Sequence, residues 1–449
     1  MAHELSAQRE GSLDAPSRKP IDWRSPGFYD EAALHQEMER IFDICHGCRR
    51  CVNLCNAFPT LFDLVDASET LEVDGVDKSD FSRVADQCYL CDLCFMTKCP
   101  YVPPHPWGVD FPHLMLRAKA VKHKKGESRI RDRILSSNAS LGKLVRIPIV
   151  AEAVNAATRN ATGRLILDKT LGIHPEAHVP NYYRNTLRKR VASAGVNESE
   201  RDAESETLGR AALFVTCYGN YNEPQLVEDL IAVFRHNRIG ITLTAKEQCC
   251  GMPKLEIGDL DSVAKSKEFN IPILKRLIEE DFDIIAPVPS CVLMFKQEIP
   301  LLFPEDQDVQ AVKGRVFDPF EYLMLRHKEG KFDTRFKNSL GRVTYHVPCH
   351  QRVQNIGLKT RDVLALVPGT SIEIIERCSG HDGTYGLKSE THEIAKKICK
   401  PVASKIQQSR ADHFVSDCPL ATHHIEVCLG EDRQTGKSPF TLLRYAYGI

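Results

Sequence analysis

Seventeen cysteines fall in this 449-residue chain, and eight of them lie between Cys45 and Cys99. Cys45, Cys48, Cys51 and Cys55 follow the spacing C-x2-C-x2-C-x3-C. Cys88, Cys91, Cys94 and Cys99 follow C-x2-C-x2-C-x4-C, with Pro100 next. Three thiolates separated by two residues can wrap one face of a cuboidal iron–sulfur cluster, and in two-cluster ferredoxins the fourth ligand comes from the other motif. The spacing therefore predicts one [4Fe-4S] cluster on Cys45, Cys48, Cys51 and Cys99, and a second on Cys88, Cys91, Cys94 and Cys55. Structural zinc generally uses separated pairs of cysteines, so a triplet plus one, occurring twice, argues against it. Cysteine is about 3.8% of the chain, far below the density of a disulfide scaffold. The x4 spacing in the second motif and Asn56 after Cys55 depart from the usual pattern.

The other nine cysteines are spread over the C-terminal half, where short apolar runs alternate with helical patterns. Residues 211–216 read as a strand ending at Cys217, 240–245 as a strand leading to Cys249-Cys250-Gly251, and 282–289 as a strand ending at Cys291. Helices are predicted over 223–236 and 261–280. The order then repeats. Strands over 342–348, 370–376 and 411–417 end at Cys349, at Cys378-Ser379-Gly380 and at Cys418, with helices over 360–366 and 390–409. Offsets from Cys217, Cys250 and Cys291 to Cys349, Cys378 and Cys418 are 132, 128 and 127 residues. That register predicts two copies of one α/β domain with a parallel sheet, each carrying its cysteines just past strand C-termini, where open α/β sheets place ligands.

Cys, then Cys-Cys-Gly, then Cys at strand ends resembles the CCG domains of proteins related to heterodisulfide reductase. A ferredoxin-like module fused to two such domains is similar in layout to the C subunits of anaerobic glycerol-3-phosphate dehydrogenases and the iron–sulfur subunits of glycolate and lactate oxidases. The resemblance covers about residues 36–449 and implies five cysteines per CCG domain, holding unusual non-cubane clusters. The first copy matches at Cys217, Cys249, Cys250 and Cys291, with Met294 at the fifth position. The second matches only at Cys349, Cys378 and Cys418, with Ser379 and Ala421 at the other two. The first copy is thus expected to hold an additional iron–sulfur cluster. The second could hold a cluster, zinc or nothing, with His350 and His381 as candidate fourth ligands. Gly380, Gly383 and Gly386 are expected to free backbone N–H groups to point at sulfur and tune its potential; their spacing fits neither a dinucleotide fingerprint nor a P-loop.

These readings give an α+β multidomain chain: a mobile tail over 1–35, a helical two-cluster ferredoxin module over 36–135, a helical connector and linker over 136–206, a first CCG domain over 207–335 and a second over 336–449. The linker is placed at the polar stretch 197–206. Cys399 and Cys428 match no motif and are expected as core packing, and His423-His424 as a solvated face. The stretch 114–135 reads as one helix with eight Lys/Arg and two acids, a hydrated face that could dock an acidic partner or anionic lipid. Lys+Arg 59 against Asp+Glu 60 gives no general attraction for nucleic acid. No run of about 18 apolar residues and no apolar leader segment occur, so a cytoplasmic protein is expected, at most peripheral at the inner membrane face. No catalytic triad, flavin or nicotinamide signature is present. The function expected is an iron–sulfur subunit relaying electrons between a FAD-containing dehydrogenase or oxidase and a quinone or other acceptor, with substrate oxidation in the flavoprotein. The alternative is a thiol–disulfide reductase acting through a CCG cluster, for which both copies lack ligands.

Overall fold

The computed structural model describes residues 11, 12, 14–144, 150–193, 207–430 and 434–449. The first helix, α1 (Glu31–Cys48), starts at Asp30, whose side chain accepts the Ala33 N–H, and it buries Leu34, Met38, Ile41 and Phe42 at helical spacing. It stops at Arg49 in the left-handed conformation (φ 50°). Two shorter helices, α2 (Ala57–Asp66) and α3 (Phe81–Gln87), then frame the cysteine loops. α4 (Phe111–Lys124), capped by Asp110, closes the unit. The core is aromatic: Phe42 meets Phe81 at 5.0 Å between ring centroids, and Phe58 meets Phe111 at 4.7 Å.

Two expectations fail here. The tail is not loose over its described part. The Ile21 N–H donates to the Leu301 carbonyl, and the Trp23 indole N–H to the Leu302 carbonyl at 3.0 Å. The buried Arg18 guanidinium meets Asp92 at 2.6 Å, Asp110 at 2.9 Å and Glu298 at 3.4 Å. Two apolar anchors and one buried cation strap the segment across the molecule. The basic stretch is not one helix either. It breaks around Gly126 (φ 79°) into α4 and α5 (Ile130–Leu135). Four of its eight cations pair with carboxylates: Lys122 with Asp86, Lys125 with Glu31, and Arg129 and Arg131 with Glu390.

The connector contributes α6 (Asn138–Leu144), α7 (Val150–Arg159), α8 (Ala161–Leu171) and α9 (Leu187–Ser193). The linker placed at 197–206 lies outside the described residues. Two four-stranded, wholly parallel sheets follow. The first has the order β2-β1-β3-β4, with β1 Gly209–Leu213, β2 Ile239–Leu243, β3 Asp283–Ile285 and β4 Val316–Phe317. The second repeats it as β6-β5-β7-β8, with β5 Arg342–His346, β6 Ser371–Ile375, β7 His413–Ser416 and β8 Gly436–Lys437. Residues 211–215 are all 0% exposed, as expected when helices cover both faces of a parallel sheet. In each sheet the order reverses at the first strand, which opens a crevice past its C-terminus.

Among the helices of the sheet domains, α10 (Pro224–His236) and α11 (Leu260–Glu279) belong to the first, and α12 (His392–Ser409), α13 (Pro419–Leu429) and α14 (Pro439–Tyr447) to the second. α14 reaches back onto α10, where Thr441 and Arg444 both bind the buried Asp229. Among the described residues, no helix is long and apolar enough to cross a membrane.

Candidate metal centres

α1 ends in the first cysteine loop, so Cys45 and Cys48 sit on its last turn with Cys51 and Cys55 just beyond. Cys99 arrives from the second loop and joins Cys45, Cys48 and Cys51 around a small void of about 20 Å³. Cys88, Cys91 and Cys94 gather with Cys55, the residue left over from the first loop. Leu90 and Asp92, between these cysteines, hold positive φ (54° and 60°) without being glycine, the kind of backbone strain that clusters at functional sites. Burial pushes the thiols of Cys45, Cys55 and Cys94 well up, and neighbouring thiols add to it. Cys88 is pushed to about 12 by burial, although the Lys119 ammonium opposes the shift. None of the seventeen cysteines is in a disulfide. Two compact sets of four thiols, none consumed by a disulfide, fit the donor set of two [4Fe-4S] clusters.

In the first sheet domain Cys217 follows β1 after Thr216, a buried β-branched residue held at φ 69° whose hydroxyl accepts the Gly219 N–H at 3.0 Å. Cys249 and Cys250 follow β2, and Cys291 follows β3. The four thiols form one contiguous group, with Cys249 touching Cys217 and Cys250, and Cys250 touching Cys291. Gly251 needs its positive φ (102°), and an added Cβ there would come 3.3 Å from the Met294 methyl. Met294, at the missing fifth position, is thus buried against this loop.

The second domain has three strand-end thiols against four in the first. Cys349 and Cys378 are in contact, and the Gly380 N–H donates to the Cys378 Sγ at 3.2 Å. The contact with Cys349, this N–H and the nearby Tyr89 hold Cys378 at about 7 despite its burial. Gly380 (φ 75°) takes the place of Gly251, which pairs Cys249 with Cys378 and Cys250 with Ser379, an offset of 129 residues rather than 128. Cys418, pushed to about 11 by burial, lines the same cavity as Cys349 and Cys378, as do Ser379 and Ala421. His350 and His381 also line it, and each has a buried Nε2 without a hydrogen-bond partner. His350 Nδ1 is tied to Ser290 at 2.8 Å.

Three relations were not legible in the sequence. First, the two cysteine sets of the sheet domains open into one largely apolar cavity of about 340 Å³, walled on the far side by connector residues such as Leu141, Leu167 and Tyr182. Second, the N-terminal loops abut the second sheet domain. Cys91 lies against Cys349, Cys55 is a close neighbour of Cys378, and the Tyr89 ring meets Tyr385 at 4.9 Å. Third, His424 is not on a solvated face. It is 5% exposed and sits with Cys399 and Cys428, while only His423 points to carboxylates, Glu223 at 2.7 Å and Glu426 at 3.0 Å.

Comparison with known proteins agrees with the repeat. The model of the CCG cysteine-rich domain matches residues 211–296 and again 343–426. The C subunit of the anaerobic glycerol-3-phosphate dehydrogenase of Escherichia coli (strain K12) is 29% identical over 324 residues, 72% of this chain and 79% of that protein. The B subunit of the fumarate reductase (CoM/CoB) of Methanothermobacter marburgensis is 30% identical over 227 residues, 50% of this chain and 43% of that protein. Lactate utilization protein A of Oceanobacillus iheyensis is 24% identical over 214 residues, 46% of this chain and 84% of that protein. Residues 211–296 and 343–426 thus each match the CCG cysteine-rich domain, and the chain is similar in sequence to these three proteins.

Proposed function

We propose that the chain is an iron–sulfur electron-relay protein, carrying electrons between a FAD-containing dehydrogenase or oxidase and a quinone or other redox acceptor. The observation that carries this reading is the contact of Cys91 with Cys349 and the closeness of Cys55 to Cys378. It makes the cysteine sets of the N-terminal module and the second CCG domain neighbours. Cys45, Cys48, Cys51 and Cys99 would hold one [4Fe-4S] cluster, and Cys88, Cys91, Cys94 and Cys55 the other. Cys217, Cys249, Cys250 and Cys291 would hold a further iron–sulfur centre, and Cys349, Cys378 and Cys418 a second CCG centre. Such groups, when bound, take up and release single electrons.

The chain's own residues do the positioning. Gly380 aims its N–H at the Cys378 sulfur and lowers the cost of negative charge there. Asp92, which follows Cys91, is neutralised by Arg18 and not left to repel electrons from the adjacent thiolates. The apolar wall formed by Leu141 and Leu167 limits water at the two CCG cysteine sets. Two of the homologous proteins named above belong by name to a glycerol-3-phosphate dehydrogenase and a fumarate reductase, which supports a partner that performs the substrate chemistry.

The test is direct. The full chain, loaded and reduced anaerobically, is mixed with a quinone analogue or with an organic disulfide. Relay predicts oxidation by the quinone and no stoichiometric thiol release from the disulfide. The reverse pattern would establish the reductase instead.

A further inference from the structure

We propose that Cys399, His424 and Cys428 form a zinc site in the second CCG domain that uses none of the CCG-motif cysteines. Two packed helices build it. His424 and Cys428 are one turn apart on α13 and share a face, and Cys399 meets them from the middle of α12. One donor atom from each residue lies within 4.8 Å of the other two. Around tetrahedral zinc, with Zn–S of ~2.3 Å and Zn–N of ~2.0 Å, donors stand about 3.5–4 Å apart. Small side-chain rotations close that gap.

The surroundings fit a soft cation. Cys399 is 0% exposed and His424 5% exposed. The His424 Nε2 is buried without a hydrogen-bond partner, a costly state for a polar atom in a packed core. Both thiols are free. A disulfide between them would leave the imidazole unsatisfied and would need an oxidant. Two thiolates and an imidazole suit zinc and exclude the oxygen-seeking calcium and magnesium. Among the described residues no fourth His, Cys, Asp or Glu donor joins the three within that distance, which leaves the fourth position to water. Binding releases to solvent whatever protons the two thiols still carry.

The location gives the site a structural task. A Cβ built on Gly386 would come 3.2 Å from the His424 ring, so His424 packs directly under the Cys378–Gly386 loop. A metal joining α12 to α13 therefore fixes the floor beneath Cys378 without carrying electrons. The proposal stands apart from the relay reading, because zinc and iron are counted separately.

The full-length chain, iron-loaded anaerobically, is desalted and analysed for both metals, and Zn2+ affinity is read by competition with a chromophoric chelator. One zinc per chain is expected beyond the iron. Cys428→Ser, and separately His424→Gln, should weaken Zn2+ binding at least ~100-fold, the upper end of what outer-shell changes cost. Iron content should stay unchanged. Zn2+ should also protect Cys428 of the unmutated chain from alkylation, a readout that holds even if a variant misfolds. Unchanged zinc affinity in Cys428→Ser, equal alkylation with and without Zn2+, or a Cys399–Cys428 disulfide in anaerobic protein would overturn the proposal.

Discussion

Replacing Arg18 by Met removes a cation that joins three parts of the molecule. Its side chain is 6% exposed, and two of its partners, Asp92 and Glu298, are each 4% exposed. Exposed ion pairs contribute at most about 1 kcal/mol, whereas breaking a buried one costs about 3–5 kcal/mol, because the remaining charge is left uncompensated. His113 offsets part of the loss. It lies 3.2 Å from Asp110 and 3.2 Å from Glu298, but has no such contact with Asp92. The expected loss is therefore about 3 kcal/mol, the lower end of the range, and it falls mainly on Asp92. Burial already raises the Asp92 carboxyl and Arg18 pulls it down, so the variant should raise it further. A carboxyl raised in the folded state stabilises only while protonated, so the deficit should widen as pH rises above the ordinary carboxylate range. The chain has two tryptophans, Trp23 and Trp107, so urea unfolding of the iron-loaded protein followed by tryptophan fluorescence reports on this region. Arg18→Met with Asp92→Asn should recover part of the loss. A loss under about 1 kcal/mol, or no recovery in the double variant, would refute a buried ion cluster as the clasp of the N-terminal strap.

Further predictions follow the same residues. Burial and Arg18 work against the charged His113 ring, but Asp110 and Glu298 prevail and raise it to about 9 from its ordinary 6.5. Its stabilisation is complete below pH 6.5 and is lost as pH rises through 9, up to about 3 kcal/mol for that difference, and His113→Gln should flatten stability over this window. Gly380→Ala sets a Cβ against the Ala395 carbonyl at φ 75° and should cost at least ~1 kcal/mol while shifting the potential of the second CCG centre; an unshifted potential would rule out tuning by the N–H···S contact. Cys250→Ser should abolish one paramagnetic centre and spare the two [4Fe-4S] signals, whereas Ser379→Cys should increase iron content; unchanged iron in Cys250→Ser would eliminate the first CCG centre.

The sequence exposed most where chemistry is local. Cysteine triplets with two residues between neighbours are readable because seven consecutive residues carry all three, and the strand-end cysteines because short apolar runs stop abruptly before them. The edge strands β4 and β8 are two residues each and leave no periodic trace. The strap was hidden because Ile21 and Trp23 are isolated apolar residues in a polar, proline-containing stretch, and Arg18 reads as surface charge until its three carboxylates come from remote positions. The basic stretch misled for the opposite reason, since its charges are adjacent in sequence while their partners are not. His424 and Cys428 share a helical face that can be read, but Cys399 completes the group from another helix. The contact of Cys91 with Cys349 joins residues 258 positions apart and depends on how whole domains dock.

Conduction of electrons by this chain, with substrate chemistry left to a partner, is open to one decisive measurement. It follows the visible iron–sulfur absorbance of the anaerobic, oxidised full chain during incubation with glycerol-3-phosphate, glycolate or lactate, first alone and then with an added flavoprotein dehydrogenase for that substrate. Electron relay predicts no bleaching with the chain alone, bleaching once the flavoprotein and its substrate are both present, and recovery of colour on adding a quinone analogue. Bleaching by substrate without flavoprotein, or a reduced chain that the quinone analogue leaves reduced, would contradict it.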